Sequence, residues 1–299
     1  MELRELRAFV AVVEEGGLSA AARRLHVSQP SLTQTMHALE RELGVPLLTR
    51  TSTGTTPTDA GRRLLTEARA VLARYEQAVA AVARQDSACG GVLRLGVPLE
   101  LPPDLLAKPF ADLATACPDT RVNARHLSTA AQFAALRAGE LDIGLVRESP
   151  IGPDLDAVPV VDERLGVLLA TSIVGERAGP DGVRLEALAG LDWVGFPRSG
   201  SPAWYDQLTG TMRGHGIEVG EQPPDDQALL PEVKLTGVAS GRAFAFAPRA
   251  WPVPVPEHVV WVPLVGDPLV RRTWAVWPSN SRRRDVGRLV AALEDLSRP

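Results

Sequence analysis

The chain opens with three short stretches in which apolar residues recur every three or four positions, as they do on the buried face of a helix. The pattern predicts helices over residues 2–15, 19–25 and 29–43. Gly16 and Gly17 are a stop signal at the end of the first helix. Three helices with such stripes can share one small core.

The third predicted helix combines an apolar side with an uncharged polar side. Ser28 is its predicted N-cap, Ser19 is the predicted N-cap of the preceding helix, and Pro30 fits the first turn, where its missing N–H has no partner. Such a helix can read the major groove of DNA, although an ordinary three-helix bundle fits the same pattern. The apolar side is Leu32, Met36, Leu39 and Leu43, and the polar side is Pro30, Ser31, Thr33, Gln34, His37 and Arg41.

A longer helical stripe follows from Thr58 to about Arg84, without proline. It predicts a helix roughly 40 Å long, for which the first three helices offer no sufficient partner. Pairing with a second copy of the chain is the simple solution, and packing on the C-terminal part of the same chain is the alternative. Residues 87–91 indicate a hinge after this helix. The stripe residues predicted to form the dimer are Leu65, Ala68, Leu72, Tyr75 and Val79.

Short apolar runs alternate with helical segments from Val92 onward, which predicts parallel α/β sheets. About 210 residues are too many for one small sheet, so two lobes are expected. The predicted strands span 93–97, 121–127, 141–146, 157–161, 166–170, 193–196, 243–247, 259–264 and 272–277, and the predicted helices span 103–116, 129–138, 202–214, 226–240 and 282–296.

The charge of the chain changes the expected mode of DNA binding rather than the expected fold. The net charge is −4, and the first ninety residues carry eleven arginines against ten acidic residues. A nearly neutral DNA-binding region gains little from bulk attraction, so a dimer that doubles the contacts becomes important. The amphipathic, charged N-terminus is neither a signal peptide nor a membrane span, which predicts a cytoplasmic protein without a membrane partner.

Motifs for catalysis are missing from the sequence. It contains no P-loop, GxSxG, HExxH or CxxC pattern, and its five histidines have no ligand spacing. We therefore predict neither an enzyme nor a metal or cofactor site. Cys89 and Cys117 are two isolated cysteines, for which inert thiols are the default interpretation and a redox switch between them is the alternative.

Several short motifs follow one another without a gap in the first sixty residues. Together they resemble the N-terminal domain of LysR-type transcriptional regulators, and the remaining length and layout also fit that family. The motifs are Leu6 with Phe9, Ser19 to Ala22, Ser28-Gln29-Pro30, Leu39-Glu40, Leu43-Gly44, Leu48 with Arg50, and Pro57 to Gly61.

The resemblance implies three parts: a winged helix-turn-helix at 1–58, a linker and dimerisation helix at 59–88, and an α/β effector-binding domain at 89–299. The last part would be periplasmic-binding-protein-like, with two lobes joined by crossover strands. Lobe I would cover about 92–161 and 267–299, and lobe II about 162–266. The family also implies a homodimer or homotetramer, with RNA polymerase as a candidate partner.

The implied contacts with double-stranded DNA lie on the third helix and the wing. Gln34 stands where the family often has arginine, and the wing residues 51–56 are neutral, so fewer phosphate contacts are expected. A glutamine can pair bidentately with adenine. The predicted DNA-binding residues are Ser28, Gln29, Pro30, Ser31, Thr33, Gln34, His37 and Arg50.

A small-molecule effector is expected between the lobes, at the carboxyl ends of strands. Ser128 and Thr129 begin a helix whose free N–H groups could hold a carboxylate, or they simply cap it. Arg147 could pair with an acidic effector or lie on the lobe surface, and Glu100 could hold an amine or pair with Arg147 or Arg198, so the effector's chemistry stays open. The predicted effector-binding residues are Leu99, Glu100, Ser128, Thr129, Arg147, Arg198, Ser199 and Trp204.

The order of the parts therefore predicts a ligand-responsive transcriptional regulator of the LysR type. A solute-binding protein would share the lobes but not the N-terminal helices. A small α/β enzyme with a helical appendage would need a catalytic constellation that the sequence does not display.

Overall fold

The computed structural model forms two compact units, the first built on Met1–Asp86 and the second on Ser87–Arg137 with Leu141–Pro299. Parts of the predicted wing, the hinge and the helix predicted at 226–240 lie outside the described residues. The structure describes residues 1–51, 54–83, 89–220, 230–250 and 253–297.

The first unit contains four helices and a two-stranded antiparallel hairpin. The three N-terminal helices predicted from the sequence are present, with boundaries shifted by about one residue. The elements are α1 (Leu3–Glu14), α2 (Leu18–Arg24), α3 (Gln29–Leu43), β1 (Leu48–Thr51), β2 (Gly54–Pro57) and α4 (Asp59–Ala83).

The core of the first unit is small and closely packed. Phe9 and Val12 of α1 and Leu39 of α3 are fully buried, together with Leu47 just before the hairpin. Gly61, in the first turn of α4, lies so close to this segment that an added Cβ would be 2.1 Å from the carbonyl oxygen of Leu47. The entry of α4 into the core therefore requires glycine.

The second unit contains ten strands and six helices among its described residues. Its elements are β3 (Gly91–Val97), α5 (Ala107–Ala116), β4 (Thr120–His126), α6 (Thr129–Arg137), β5 (Ile143–Val146), β6 (Leu155–Ala170), α7 (Thr171–Arg177), β7 (Ala178–Gly179), β8 (Gly182–Val183), β9 (Asp192–Trp193), α8 (Pro202–Gly214), α9 (Pro231–Ala239), β10 (Ala243–Pro248), β11 (Val259–Pro263), β12 (Val270–Pro278) and α10 (Arg284–Ser297).

One sheet connects most of these strands in the order β4-β3-β5-β12-β6-β10-β9, with β11 also paired to β6. The prediction of a parallel sheet holds for β4, β3 and β5, whereas β12 runs antiparallel to both β5 and β6. The prediction of two separate strands at 157–161 and 166–170 is wrong, because β6 continues through both. Asp162-Glu163-Arg164 interrupts the apolar pattern but stays paired with β12.

Strand β6 contributes to two hydrophobic cores, one in each lobe. Val160 packs with Leu93 of β3 and Leu289 of α10 in the first core. Val167, only seven residues later, packs with Phe244 of β10 in the second core. The two lobes are thus joined by continuous strands rather than by flexible loops.

The two cysteines of the chain are bonded to each other. Cys89, just before β3, and Cys117, at the end of α5, form a disulfide with 5.2 Å between their Cα atoms. The default interpretation of two inert thiols is therefore wrong. The sequence separation of 28 residues hides the proximity, which arises because β3 and α5 pack side by side in one lobe.

We expect Gly61→Ala to destabilise the first unit by about 1–3 kcal/mol, because the new methyl group meets a backbone carbonyl that cannot rotate away. Urea unfolding followed by far-ultraviolet circular dichroism should show this loss. All six tryptophans lie beyond residue 190, so the tryptophan fluorescence transition should not move.

Gly287→Ala is the matched control, because Gly287 lies in helix α10 with nothing within 4 Å of an added Cβ. Alanine should be neutral or slightly stabilising there. Equal stability of the Gly61 variant and the wild type would contradict the close approach of α4 to Leu47.

Candidate DNA-reading helix and effector cleft

Helix α3 is fixed at both ends by its own sequence. Ser28 is the N-cap, and its Oγ accepts a hydrogen bond of 3.3 Å from the N–H of Ser31. Gly44 ends the helix in the left-handed conformation, with φ of 71°, which glycine adopts at low cost. Leu32, Met36 and Leu39 are buried, as predicted, so the helix cannot rotate about its axis without exposing them.

The outer face of α3 carries most of the residues predicted to read DNA. Thr33 is half-buried, and its hydroxyl donates to the carbonyl of Gln29 one turn earlier, so its oxygen is left to accept hydrogen bonds from outside. The remaining members point to solvent: Ser28, Gln29, Pro30, Ser31, Gln34 and His37 are exposed.

Ser19 is not the N-cap of α2, as the sequence suggested; Gly17 occupies that position. The helix begins one residue earlier, at Leu18, which places Ser19 inside its first turn. The Ser19 hydroxyl instead donates to Oε1 of Gln29 over 3.0 Å. This hydrogen bond connects α2 with the first residue of α3 and helps to orient the Gln29 side chain.

The wing is anchored to the turn that follows α1. The N–H of Thr55 donates to the carbonyl oxygen of Gly16 over 2.8 Å. An added Cβ at Gly54 would lie 2.5 Å from that same oxygen, so the hairpin passes the turn only with glycine at this position. Arg50 lies on β1 opposite Thr55. The hairpin therefore has a fixed attachment to the core of the first unit.

Helix α4 divides into a covered half and an exposed half. Ala68, predicted to form the dimer, is only 1% exposed, and Leu65 packs against the core of its own unit, because α1 covers this part of the stripe. The assignment of Ala68 to a dimer contact is therefore wrong. Further along, Leu72 is half-buried, while Val71, Tyr75 and Val79 are 46%, 43% and 51% exposed.

In the second unit, five charged residues meet where the crossover strands pass between the lobes. Glu100 follows β3, and its carboxylate binds the ammonium group of Lys234 on α9 over 2.6 Å and Nη1 of Arg271 on β12 over 2.9 Å. Each of these three side chains is at most 10% exposed. Glu100 thereby ties a lobe I loop to a lobe II helix and to a crossover strand.

The second carboxylate of the cluster belongs to Glu163 on β6. It accepts from Nη1 of Arg147 and Nε of Arg271, both over 3.2 Å. Arg147 also donates to the hydroxyl of Thr273 and, through Nη2, to the carbonyl oxygens of Leu99 and Glu100 over 2.9 Å. The two crossover strands are therefore joined by ion pairs as well as by their backbone ladder.

Burial and neighbouring charge oppose each other in this cluster. Burial alone would raise the pKa of Glu100, but the charges of Lys234 and Arg271 hold it below its ordinary value of 4.5. Burial lowers the pKa of Lys234 below 10.5, and burial with the nearby Arg271 lowers the pKa of Arg147 to about 9. Because the Glu100 pKa is lowered on folding, its stabilising effect is present above pH 4.5 and is lost as the pH falls further.

Glu100 is also held in an unusual backbone conformation. Its φ of 59° lies in the left-handed region, which residues other than glycine, asparagine and aspartate seldom adopt. Its carbonyl oxygen accepts from both Arg147 and Arg271 over 2.9 Å. Arg147 and Arg271 thus hold the backbone turn at Glu100 in place.

The predicted effector residues fall into three groups. Leu99, Glu100 and Arg147 belong to the charged cluster around Glu100 and Glu163. The Oγ1 of Thr129 accepts from the backbone N–H of Arg147 over 3.1 Å. Ser128 is exposed at the start of α6, where its hydroxyl accepts from the N–H of Ala131. The first group is therefore committed to internal contacts, and Ser128 performs the predicted capping role.

The predicted effector residues of lobe II lie apart from the charged cluster. Arg198 forms a bidentate ion pair with Asp206, at 2.7 and 2.6 Å, rather than with Glu100. The Trp204 side chain is buried in the lobe II core, and Ser199 is exposed. The expectation that Glu100 pairs with Arg198 is therefore wrong, because Asp206 on α8 binds the guanidinium of Arg198.

A carboxylate that follows β5 contacts the start of α8. Oε1 of Glu148, which follows Arg147 in the chain, accepts from the Ser201 hydroxyl over 2.7 Å and from the Trp204 N–H over 3.1 Å. Both donors lie at the N-terminus of α8, where negative charge is stabilised. Gly200 also approaches Ser128, with 3.4 Å between an added Cβ and the serine Cβ.

Sequence reasoning missed Glu148, Glu163, Lys234 and Arg271. Glu163 and Arg271 do leave a signal, because each interrupts an apolar run that is otherwise typical of a strand. Charges are rarely fully buried without a partner, so two interrupted strands suggest a mutual ion pair. Lys234 carries no comparable signal, since a single lysine in a short helix is usually solvated.

A capped helix with an exposed polar face, a wing, and a two-lobed α/β domain with a buried charged cluster between its lobes are typical of DNA-binding proteins that carry a small-molecule sensor. The family models agree in both parts. The model described as "Bacterial regulatory helix-turn-helix protein, lysR family" matches residues 3–62, and the "LysR substrate binding domain" matches residues 88–298. The chain belongs to the LysR family and is a DNA-binding transcriptional regulator.

Individual relatives match over nearly the whole chain. The uncharacterized HTH-type transcriptional regulator YnfL of Escherichia coli strain K12 is 30% identical over 294 residues, which is 96% of each chain. The crystal structure of CbnR, a LysR family transcriptional regulator, has a TM-score of 0.74 at 26% identity and covers 100% of both chains. Full-length CbnR in complex with its target DNA has a TM-score of 0.70 at 26% identity, covering 99% of this chain and 100% of that one.

Membrane insertion finds no support in the helices that the structure describes. None of them is both long enough and apolar enough to cross a bilayer.

We expect Glu163→Gln to lower the free energy of unfolding of the second unit by about 3–5 kcal/mol, because it leaves Arg147 and Arg271 buried with less compensating charge. Urea unfolding followed by tryptophan fluorescence measures the change.

Asp162→Asn is the matched control on the adjacent residue of β6. Asp162 pairs with Arg272 across the same two strands, but the two side chains are 50% and 61% exposed. An exposed pair contributes at most about 1 kcal/mol. Similar losses for the two variants would contradict the central position of the buried cluster.

Proposed function

We propose that the regulator reads DNA with the exposed face of α3, that two copies pair through the outer half of α4, and that a small-molecule effector binds between the two lobes. The observation that carries the proposal is the capped helix α3, whose apolar side is buried while its outer face exposes mostly uncharged polar groups. Such a face is suited to hydrogen bonding with base edges in the major groove.

We assign separate tasks to the residues of the reading face. Gln34 and His37 are exposed along α3 and are placed to reach base edges, whereas Ser28 and Ser31 lie at its N-terminus, where backbone N–H groups suit phosphate. Gln29 and Pro30 begin the helix and fix its approach to the groove. Arg50 on the wing would add a phosphate contact beside the groove that α3 enters.

The outer half of α4 is the proposed dimer contact. Val71, Tyr75 and Val79 recur at intervals of four residues and form one exposed apolar stripe. A guanidinium group from Arg7 lies 5.5 Å from the centre of the Tyr75 ring and borders the stripe with positive charge. A second α4 packed against this stripe would remove it from water and bring two copies of α3 to one DNA duplex.

We place effector recognition at the rim of the cleft rather than on its floor. The floor cations are occupied by Glu100 and Glu163, so a ligand gains little by competing with ion pairs that are already desolvated. At the rim, Ser128 is exposed, and the hydroxyl of the buried Ser201 donates to the carboxylate of Glu148. A ligand there acts as a switch if it binds one lobe arrangement more tightly than another.

The same proposal accounts for location and assembly. A DNA-reading protein acts where the chromosome is, so we assign it to the cytoplasm, as a dimer or as a tetramer of two dimers, and RNA polymerase is a candidate contact for a regulator bound at a promoter. We assign no enzymatic activity, because the charged groups of the cleft stabilise one another instead of converging on a reacting atom.

Selection from random-sequence duplexes at fixed salt should give a partly palindromic site that the full-length protein protects. On that site, Gln34→Ala should change the preference at one base pair per half-site by about 1–3 kcal/mol, because one side chain that reads a base edge is removed. Binding titrations with single-base variants of the site measure the change.

Gln207→Ala is the matched control, because Gln207 is an exposed glutamine on α8 of the second unit. It should leave all affinities unchanged. A uniform loss across all sequences for the Gln34 variant would rule out base reading by this residue, and failure to select any duplex would overturn the proposed function.

We expect Val79→Arg to dissociate the dimer, because an arginine would be buried against the partner helix without an anion. Sedimentation equilibrium of the purified protein should then show a mass near that of one chain, 32.0 kDa.

Thr66→Arg is the control for the added charge, since Thr66 is exposed on the opposite side of α4. It should sediment as the wild type does. A Val79 variant with unchanged mass would show that the stripe is not the dimer contact.

A further inference from the structure

The disulfide between Cys89 and Cys117 lies at the point where the chain enters the second unit. Residues 89–91 lead directly into β3, and α4 of the DNA-binding unit ends only six residues before Cys89. The bond therefore ties the start of the sensor domain to the end of α5, next to the segment that connects sensor and linker helix.

The two sulfur atoms are held very differently. Cys117 is fully buried in the lobe I core, its N–H donates to Leu113 over 2.8 Å, and its carbonyl oxygen accepts from Thr120 over 3.0 Å. These contacts fix Cys117 without help from the disulfide. Cys89 is only half-buried, so it is the more accessible cysteine of the two.

Two glycines follow Cys89. Gly90 and Gly91 have φ values of 141° and 79°, which side chains other than hydrogen rarely allow. The N–H of Gly91 donates to the carbonyl oxygen of Asp119 over 3.1 Å. Without the disulfide, the two glycines would leave Cys89 far freer to move than a chain of ordinary residues.

We infer that Cys89 and Cys117 form a reversible thiol–disulfide pair that ties residues 89–91 to the end of α5 in its oxidised state and releases them in its reduced state. The inference rests on the proposed function, in which the linker helix carries the DNA-reading unit. In a reducing compartment a disulfide of this kind is a switch rather than a permanent staple.

The oxidising step is exchange with a low-molecular-weight disulfide such as oxidised glutathione. The Cys89 thiolate attacks one sulfur of that molecule, whose S–S bond breaks and releases one thiolate. The Cys117 thiolate then attacks the Cys89 sulfur, forms the internal bond and releases the second thiolate. Two protein thiols thus lose two protons and two electrons, and the small disulfide becomes two thiols.

The test equilibrates the full-length protein in glutathione buffers of stepped ratio and counts free thiols by the mass added on alkylation. We expect the pair to pass from fully bonded to fully free within the range, with faster hydrogen exchange in peptides that cover residues 89–97 when it is free. A bond that persists in excess reduced glutathione, or thiols that never pair in excess oxidised glutathione, would overturn the inference.

The functional readout is protection of the selected duplex by the oxidised and the reduced protein. We expect the affinity or the extent of protection to differ at least threefold between the two states, and Cys89→Ser to behave as the reduced protein in both buffers. Ser240→Ala is the matched control for a lost small polar side chain in the second unit, and it should respond as the wild type does.

The outcomes separate the tether from the proposed function. Thiol counting and hydrogen exchange need no DNA, so they judge the pair even in a protein that binds no duplex. Binding that is equal in both redox states would overturn the coupling while leaving DNA reading intact. Loss of binding in every state would count against the proposed function itself.

Discussion

The buried ion pairs of Glu163 and Glu100 are the interaction on which the sensor domain depends. Two carboxylates and three cations are removed from water at the point where β6 and β12 pass between the lobes. Burying such charges is costly unless every partner is present, so the cluster penalises any arrangement that separates its members. Packing of the two hydrophobic cores determines each lobe, whereas this cluster determines how the strands that join them are aligned.

The first unit depends on a different constraint, which is close approach of backbone segments. Gly54 passes the carbonyl of Gly16, and Gly61 passes the carbonyl of Leu47, in both cases without room for a Cβ. The wing and the start of α4 therefore approach the three-helix core through close backbone contact. A nearly neutral DNA-binding unit needs such fixed geometry, because it has little long-range attraction to compensate for a misplaced contact.

Much of the fold could be predicted from the sequence, because the helices and strands follow from the local spacing of apolar residues. The spacing of Leu32, Met36 and Leu39, with a cap at Ser28, predicts α3 correctly. The polar interruption at Glu163 misled the strand prediction, since one of the two arginines that neutralise it, Arg271, lies more than a hundred residues away on β12. The contact between Cys89 and Cys117 likewise depends on tertiary packing. Site residues that act through distant partners, such as Lys234, leave no local trace, so the floor of the cleft could not be assembled from the sequence.

The continuity of β6 has a mechanical consequence. A loop that joins two lobes bends at little cost. A continuous strand of sixteen hydrogen-bonded residues resists bending. The two lobes can therefore rotate only slightly relative to each other, and β6 opposes the rotation. A signal generated in this way is a small rotation of one lobe relative to the other.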